Sequence, residues 1–202
     1  MHVIGLTGGI GTGKSTVAAF LEKQGATILN ADRIGHEVYV PGRPAFHELV
    51  EAFGREIVGE DGNIDRKKLG GIVFSDPKQM TRLNSVVHPR MKGIMREKLQ
   101  ELARSGTEIA VIEAAILFEA RWDDLADEVW VTSAPPEIAA QRVAERSALS
   151  LEQVKKRIKS QMSDEKRVSR ASAVIDTSGD MESTITNARE KWDDLQRRLA
   201  ST

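Results

Sequence analysis

Gly8-Gly-Ile-Gly-Thr-Gly-Lys-Ser15 lies between an apolar run, Val3–Leu6, and a segment, Lys14–Lys23, whose Val17, Ala18, Phe20 and Leu21 recur at helical spacing. Gly8, Gly13, Lys14 and Ser15 satisfy the spacing G-x-x-x-x-G-K-[ST], in the strand–loop–helix setting that spacing requires. Each residue type has a physical task. Glycines let the main chain turn sharply and approach a polyphosphate without side chains in the way. Successive N–H groups then form an anion-binding nest, to which the helix beginning near Lys14 adds the positive end of its dipole. A lysine reaches the β- and γ-phosphates, and a serine hydroxyl can ligate a divalent cation. The stretch reads as a loop that grips the phosphates of ATP or GTP.

Working outward, the rest of the chain follows the alternation of an α/β protein with a parallel sheet. Val3–Leu6, Thr27–Leu29, Glu108–Ile112, Glu128–Val131 and Ala173–Ile175 read as five strands, rich in Val, Ile and Leu. Their apolar residues do not alternate with polar ones, as expected of strands covered on both faces. Gly25 stops the first helix. Roughly eighty residues separate the second and third strands, far beyond the dozen or so that a crossover needs. Within them Asp76-Pro77 reads as a helix start. A further helix is expected from Pro89, carrying Met91, Ile94, Met95, Leu99, Leu102 and Ala103 up to Gly106. Beyond strand four, Pro135–Ser147 and Ser150–Met162 read as helices, the second opened by the capping box Ser150-Leu-Glu-Gln153. A last helix from about Asp180 turns Ile185, Ala188, Trp192, Leu195 and Leu199 to one side.

Composition narrows the function classes. The 202 residues are 40% apolar, enough for a sizeable core, and 29 basic side chains balance 30 acidic ones. That balance gives no global pull toward nucleic acid or an anionic membrane. The absence of cysteine excludes disulfides, thiolate nucleophiles and cysteine-type zinc sites, and fits a reducing compartment. No secretory signal or spanning segment is visible, so the expectation is a cytoplasmic protein.

A phosphate-binding loop alone does not name a reaction. No N-K-x-D segment that would read guanine is present. A kinase needs a carboxylate to orient the acceptor and a cationic cover that excludes water. Asp32, just past strand two in Thr27-Ile-Leu-Asn-Ala-Asp32, is the first carboxylate candidate, because ligands of open parallel sheets bind beyond the carboxyl ends of strands. It equally suits an N-cap for a helix starting near Arg33. Glu113, at the end of strand three, reads either as a water-mediated metal partner or as a solvated strand end. The cover is expected in residues 150–170, where Lys155, Lys156, Arg157, Lys159, Lys166, Arg167 and Arg170 outnumber Glu152, Asp164 and Glu165. Arg142 and Arg146, four apart on one helix face, add forks suited to phosphoryl oxygens. Any single one of these cations is by default part of a solvated face.

At this point the chain resembles a family, the dephospho-CoA kinases. The resemblance rests on Leu6-Thr-Gly-Gly-Ile-Gly-Thr-Gly-Lys-Ser-Thr16, Asn30-Ala-Asp32 with His36, and Leu83-Asn-Ser-Val-Val-His88-Pro89. It continues through Ile116-Leu-Phe-Glu119, Arg142 and Arg146, Arg157-Ile-Lys-Ser-Gln-Met162, and Val174-Ile-Asp-Thr-Ser-Gly179. The glycine loop is shared by many kinases, whereas the His-Pro, Leu-Phe-Glu and Ser-Gln-Met segments in this order are more specific.

The resemblance implies a P-loop kinase-type three-layer α/β fold, with a five-stranded parallel sheet, a helical substrate-binding insertion and a helical lid. Residues 1–32, 107–134 and 171–202 would form the nucleotide-binding core, 33–106 the CoA domain and 135–170 the lid. ATP would lie on Gly8, Gly9, Gly11, Thr12, Gly13, Lys14, Ser15 and Thr16, with Arg142 and Arg146. Asp32 would serve as base toward the ribose 3′-hydroxyl of dephospho-CoA, Lys14 and Arg142 would steady the transferring phosphoryl group, and Ser15 would hold Mg²⁺. His88, Leu117, Phe118 and Glu119 would face the acceptor, although His88 also suits a cap for the helix at Pro89. Trp122 and Trp130 suit packing, and His36 and His47 the surface. The implied partners are ATP and dephospho-CoA, with no nucleic acid or membrane, and the expected state is a monomer. Asn30, Glu113, Ala115, Ser172 and Thr177 depart from residues common in the family. A nucleoside or nucleotide kinase of similar build is the alternative enzyme. A nucleotide-regulated RNA-binding module is the alternative from another class, disfavoured by few aromatics and near-zero net charge.

Overall fold

The computed structural model describes residues 1–147 and 149–201; Ala148, in the expected lid, and Thr202, in the expected core, lie outside it. Five strands, β1 (His2–Gly8), β2 (Thr27–Asn30), β3 (Ile109–Glu113), β4 (Glu128–Ser133) and β5 (Ala173–Asp176), form one parallel sheet in the order β2-β3-β1-β4-β5. The register runs Leu6 against Glu113 on one side of β1 and against Trp130 on the other. Every residue of β3 is buried, and so is β1 after His2. Both faces are covered, which is why these strands read as unbroken apolar runs.

The chain divides into two compact units, Met1–Leu29 with Leu102–Thr202, and Asn30–Glu101. In the first, α1 (Lys14–Lys23) and α9 (Met181–Ala200) supply Val17, Phe20, Leu21, Trp192 and Leu195 to a core shared with Ile4, Leu6, Val111, Trp130 and Ile175. Leu199, expected on the same face of α9, is instead 38% exposed. It lies in the final turn, past the last residue of that helix buried in the core, Leu195. After β4 come α6 (Pro136–Arg146), α7 (Leu151–Lys159) and α8 (Asp164–Val168). The capping box at Ser150 forms in both directions, Ser150 Oγ with the Gln153 N–H and Gln153 Oε1 with the Ser150 N–H. Between α6 and α7, Ala140, Val143 and Val154 build a small apolar cluster of their own.

The second unit holds α2 (Ala31–Glu37), α3 (Pro44–Phe53), α4 (Arg66–Ser75) and most of α5 (Pro77–Arg104). Leu49, Phe53, Ile57, Ile64, Leu69 and Val73 form its core. A correction falls on α5. The expected helix from Pro89 is the second half of one 28-residue helix that runs through the proline. Pro89 offers no N–H to the preceding turn, at a cost of about 3 kcal/mol. Both flanks are anchored: Met80, Leu83, Val86 and Val87 pack on the core, and Met91, Met95 and Leu99 are buried further along. Burial of a side chain of this size contributes about 1.5–3 kcal/mol, so several together outweigh the proline. The Asp76 carboxylate accepts the Lys78 N–H at 2.9 Å, as a helix start there requires. His88 therefore sits inside a helix rather than at the start of one.

Candidate active site

The glycine loop leaves β1, the middle strand of the sheet, at its carboxyl end and enters α1 at Lys14. Its turn depends on two left-handed glycines, Gly11 at φ +83° and Gly13 at φ +72°. Close approach adds a second requirement. A Cβ on Gly8 would lie 2.1 Å from Thr132 Oγ1, and one on Gly11 would lie 2.3 Å from the Ala139 carbonyl oxygen. Three buried threonines hold the loop from beneath. Thr12 Oγ1 donates to the Gly9 carbonyl and lies 2.8 Å from Thr132 Oγ1. Thr177 Oγ1 lies 2.9 Å from the Thr12 carbonyl and 3.0 Å from that of Ser133, one proton serving both. The loop keeps its shape through its own scaffold.

Lys14 Nζ lies 2.9 Å from Glu113 Oε1, with both side chains largely enclosed. Glu113 is thus no solvated strand end: the register that sets it opposite Leu6 carries its carboxylate to the lysine at the loop's exit. Ser15 and Thr16 border a cleft of about 470 Å³ that Gly11, Gly13, Arg142 and Arg146 also line. Arg142 donates from Nη1 to the Thr177 carbonyl and from Nη2 to the Gly179 carbonyl, both at 2.6 Å, so two of its donors tie α6 to the loop after β5. Arg146, one turn further on, is exposed.

Among the described residues no group of three His, Asp or Glu side chains is arranged to hold a metal ion. What the loop offers is one exposed hydroxyl, Ser15, and one enclosed carboxylate, Glu113. That donor set fits a hard divalent cation that takes most of its ligands from water and phosphate oxygens.

The other expected site residues fall as follows. Asp32 is exposed in the first turn of α2, in the second unit. It is not the cap of that helix: Asn30 is, its Oδ1 accepting the Arg33 N–H at 3.0 Å. An amide oxygen serves this task as well as a carboxylate, which accounts physically for asparagine at position 30. His88, also in the second unit, is half-buried, and burial pushes its imidazole below the ordinary value. Leu117 is fully buried and Phe118 is 4% exposed, so what they can offer a ligand is mainly main chain. Glu119 Oε1 accepts from Arg167 Nη2 at 3.0 Å and from the Met162 N–H at 3.3 Å. Trp122 and Trp130 are wholly buried, and His36 and His47 are exposed.

The profile of the dephospho-CoA kinase family matches residues 2–183. The chain belongs to the dephospho-CoA kinase family. A dephospho-CoA kinase of Moorella thermoacetica is 43% identical over 99% of this chain and 95% of the relative, and one of Thermobifida fusca is 42% identical over the full length of both. A solved structure from Thermus thermophilus superposes with a TM-score of 0.79 at 34% identity, covering 99% of this chain and 97% of the other. The dephospho-CoA kinase of Campylobacter jejuni shares the fold at a TM-score of 0.73 and 24% identity, over 98% of each chain. The chain is therefore a P-loop kinase, and the alternative of an RNA-binding module is not favoured.

Three residues shape the loop in ways that sequence reasoning did not assign to them. Thr132 is an ordinary strand residue until the register with β1 sets it under the loop. Arg167 was counted among the exposed cations of 150–170, yet it is 2% exposed and paired with Glu119. A cation count cannot separate a buried, paired arginine from its solvated neighbours. Gln161 Oε1 accepts the Ile10 N–H at 2.9 Å. Its only signal was membership of the Ser-Gln-Met segment.

Proposed function

We propose that this kinase transfers the γ-phosphoryl group of ATP to the ribose 3′-hydroxyl of dephospho-CoA, giving CoA and ADP, the last step of CoA synthesis. The observation that carries the reading is the glycine loop with its Lys14–Glu113 pair, in a chain that matches dephospho-CoA kinases along nearly its whole length. In this reading residues 1–32, 107–134 and 171–202 bind the nucleotide, 33–106 hold the CoA precursor and 135–170 form the lid.

The triphosphate lies on the main-chain N–H groups between Gly8 and Thr16, where no Cβ intrudes at Gly8, Gly9, Gly11 or Gly13. Thr12 lies at the middle of this run and Thr16 at its far end. Lys14 exchanges part of its contact with Glu113 for the β- and γ-phosphates, which supply more negative charge than one carboxylate. Ser15 would hold Mg²⁺, with Glu113 reaching it through water, and the cation would supply positive charge that neutralises the leaving group. Arg142 and Arg146 wall the nucleotide side of the cleft, and the donors of Arg142 not spent on Thr177 and Gly179 steady the phosphoryl group. Asp32 accepts a hydrogen bond from the 3′-hydroxyl and takes its proton. Because the transition state of phosphoryl transfer is loose, aligning that hydroxyl is most of the task. His88, Leu117, Phe118 and Glu119 stand on the acceptor side, Glu119 by holding Arg167 in place.

A coupled ADP-release assay over dephospho-CoA, AMP, CMP and nucleosides tests the reading. Turnover with dephospho-CoA far above the rest is the expected result, and a clear preference for a nucleotide would overturn it.

A further inference from the structure

Ile10 belongs to the phosphate-binding loop, yet both ends of it are held by the helices that follow β4. Its side chain packs against the α6–α7 cluster of Ala140, Val143 and Val154, together with Leu149 and Ile158. Its N–H donates to Gln161 Oε1 at 2.9 Å. Gln161 sits in the turn between α7 and α8, and that turn is itself fixed twice. The Met162 N–H donates to Glu119 Oε1 at 3.3 Å, while the Met162 carbonyl accepts from Arg167 Nη1 at 2.6 Å. Arg167, 2% exposed, closes the circuit with a 3.0 Å bond from Nη2 to the same Glu119 oxygen. The rest of the loop is served by the threonines beneath it. Ile10 is where the α6–α7 pair is fastened to the phosphate-binding loop.

We infer that Gln161 is a positioning residue for ATP. Through the Ile10 N–H it latches α6 and α7 onto the glycine loop, and Glu119 and Arg167 hold the latch in register. The physical argument is one of order. Arg142, Arg146 and the cations of α7 serve the phosphates only if their helices stay seated on the loop. An apolar contact at Ile10 seats them loosely, and a directional hydrogen bond at the same residue selects one orientation. A neutral hydrogen bond contributes about 1 kcal/mol net, which is enough to shift a seated–unseated balance about fivefold. This deepens the kinase reading above and rests on it only for the nucleotide arm of the test.

The variant is Gln161→Met, similar in length and flexibility but without an acceptor, set beside Ile10→Ala and the double variant. In the full-length protein, Gln161→Met is expected to raise the Kd for Mg-ATP about twofold, since a fivefold shift divides between loss of the seated form and gain of the open one. The KM for dephospho-CoA should stay unchanged and the Tm should fall by no more than about 2–4 °C, a split that loss of general stability would not produce. The double variant should cost less than the product of the two single effects, because both act on one contact. A second arm needs no nucleotide. Trypsin cleavage within α7, at the exposed Lys155, Lys156, Arg157 and Lys159, should proceed about twofold faster in Gln161→Met than in the wild type, since proteolysis follows the open population. Unchanged ATP affinity, fully multiplicative effects, or equal cleavage rates would each overturn the latch. A wild type that neither binds ATP nor phosphorylates dephospho-CoA, but still shows faster cleavage in the variant, would overturn the kinase reading and leave the latch supported.

Discussion

Lys14 has two claims on its charge: the Glu113 carboxylate 2.9 Å away and, in the proposed reaction, the β- and γ-phosphates. Removing it acts on both. Lys14→Ala should lower kcat/KM for ATP by about 10²–10³-fold, the range for loss of one preorganised charge contact to a transition state. It should also lower the Tm, because Glu113, 7% exposed, loses its ammonium partner. Steady-state kinetics and a thermal melt read the two effects separately, and normal kinetics would remove Lys14 from the phosphate site. Asp32 is a different case: exposed, in a first helical turn already capped by Asn30, it carries little structural burden. Asp32→Asn should therefore leave the Tm and the Kd for ATP unchanged while kcat falls by about 10²–10⁴-fold, the usual range for a positioned general base. Near-normal turnover would show that another group aligns the acceptor.

At the scale of elements, short helices depend on their ends. α7 has nine residues and a single buried side chain, Val154, so tertiary packing holds it weakly and local terms weigh more. Its capping box is complete. Ser150→Ala should destabilise α7 by about 1 kcal/mol. Hydrogen exchange would show this as amides of α7 exchanging about fivefold faster while those of β1 and β3 keep their rates. Uniform acceleration across the protein would mean that α7 does not open on its own. α5 shows the opposite regime, where a 28-residue helix passes through Pro89 because packing on both flanks overrides the lost hydrogen bond. A reading of propensity and period starts that helix at the proline. The stripe Met80, Leu83, Val86 and Val87 was present in the sequence, but it becomes decisive only against the core it packs on.

Across the molecule, 29 basic side chains nearly cancel 30 acidic ones, so net charge explains little and individual environments decide the response to pH. His88 is the clearest case. Burial holds its imidazole below the ordinary 6.5. Between that value and its lowered one in the folded chain, the unfolded chain binds the proton and the folded chain resists it. The contribution of His88 to stability is thus complete above about pH 6.5 and is lost as pH falls below it. Urea unfolding of wild type and His88→Gln at pH 7.5 and pH 5.5 checks this. The wild type should lose more stability between the two pH values than the variant, and equal losses would exclude His88 as a source of acid sensitivity.

By itself the sequence determined the parallel α/β class, the five strands to within a few residues, the phosphate-binding loop and the family. These properties are written in local patterns: apolar runs bounded by turns, a glycine spacing that only one kind of loop requires, and segments in a fixed order. Tertiary structure alone decided which residues those patterns place together. Glu113 became the partner of Lys14 because β3 lies beside β1, and Thr132 came to lie under the loop because β4 lies on its other side. Arg167 became a buried strut, and Gln161 the acceptor for Ile10, through contacts 48 and 151 residues apart in the chain. Periodicity carries information across one or two helical turns; strand order and the packing of α7 on α6 and of α8 on β4 connect positions that no local pattern links.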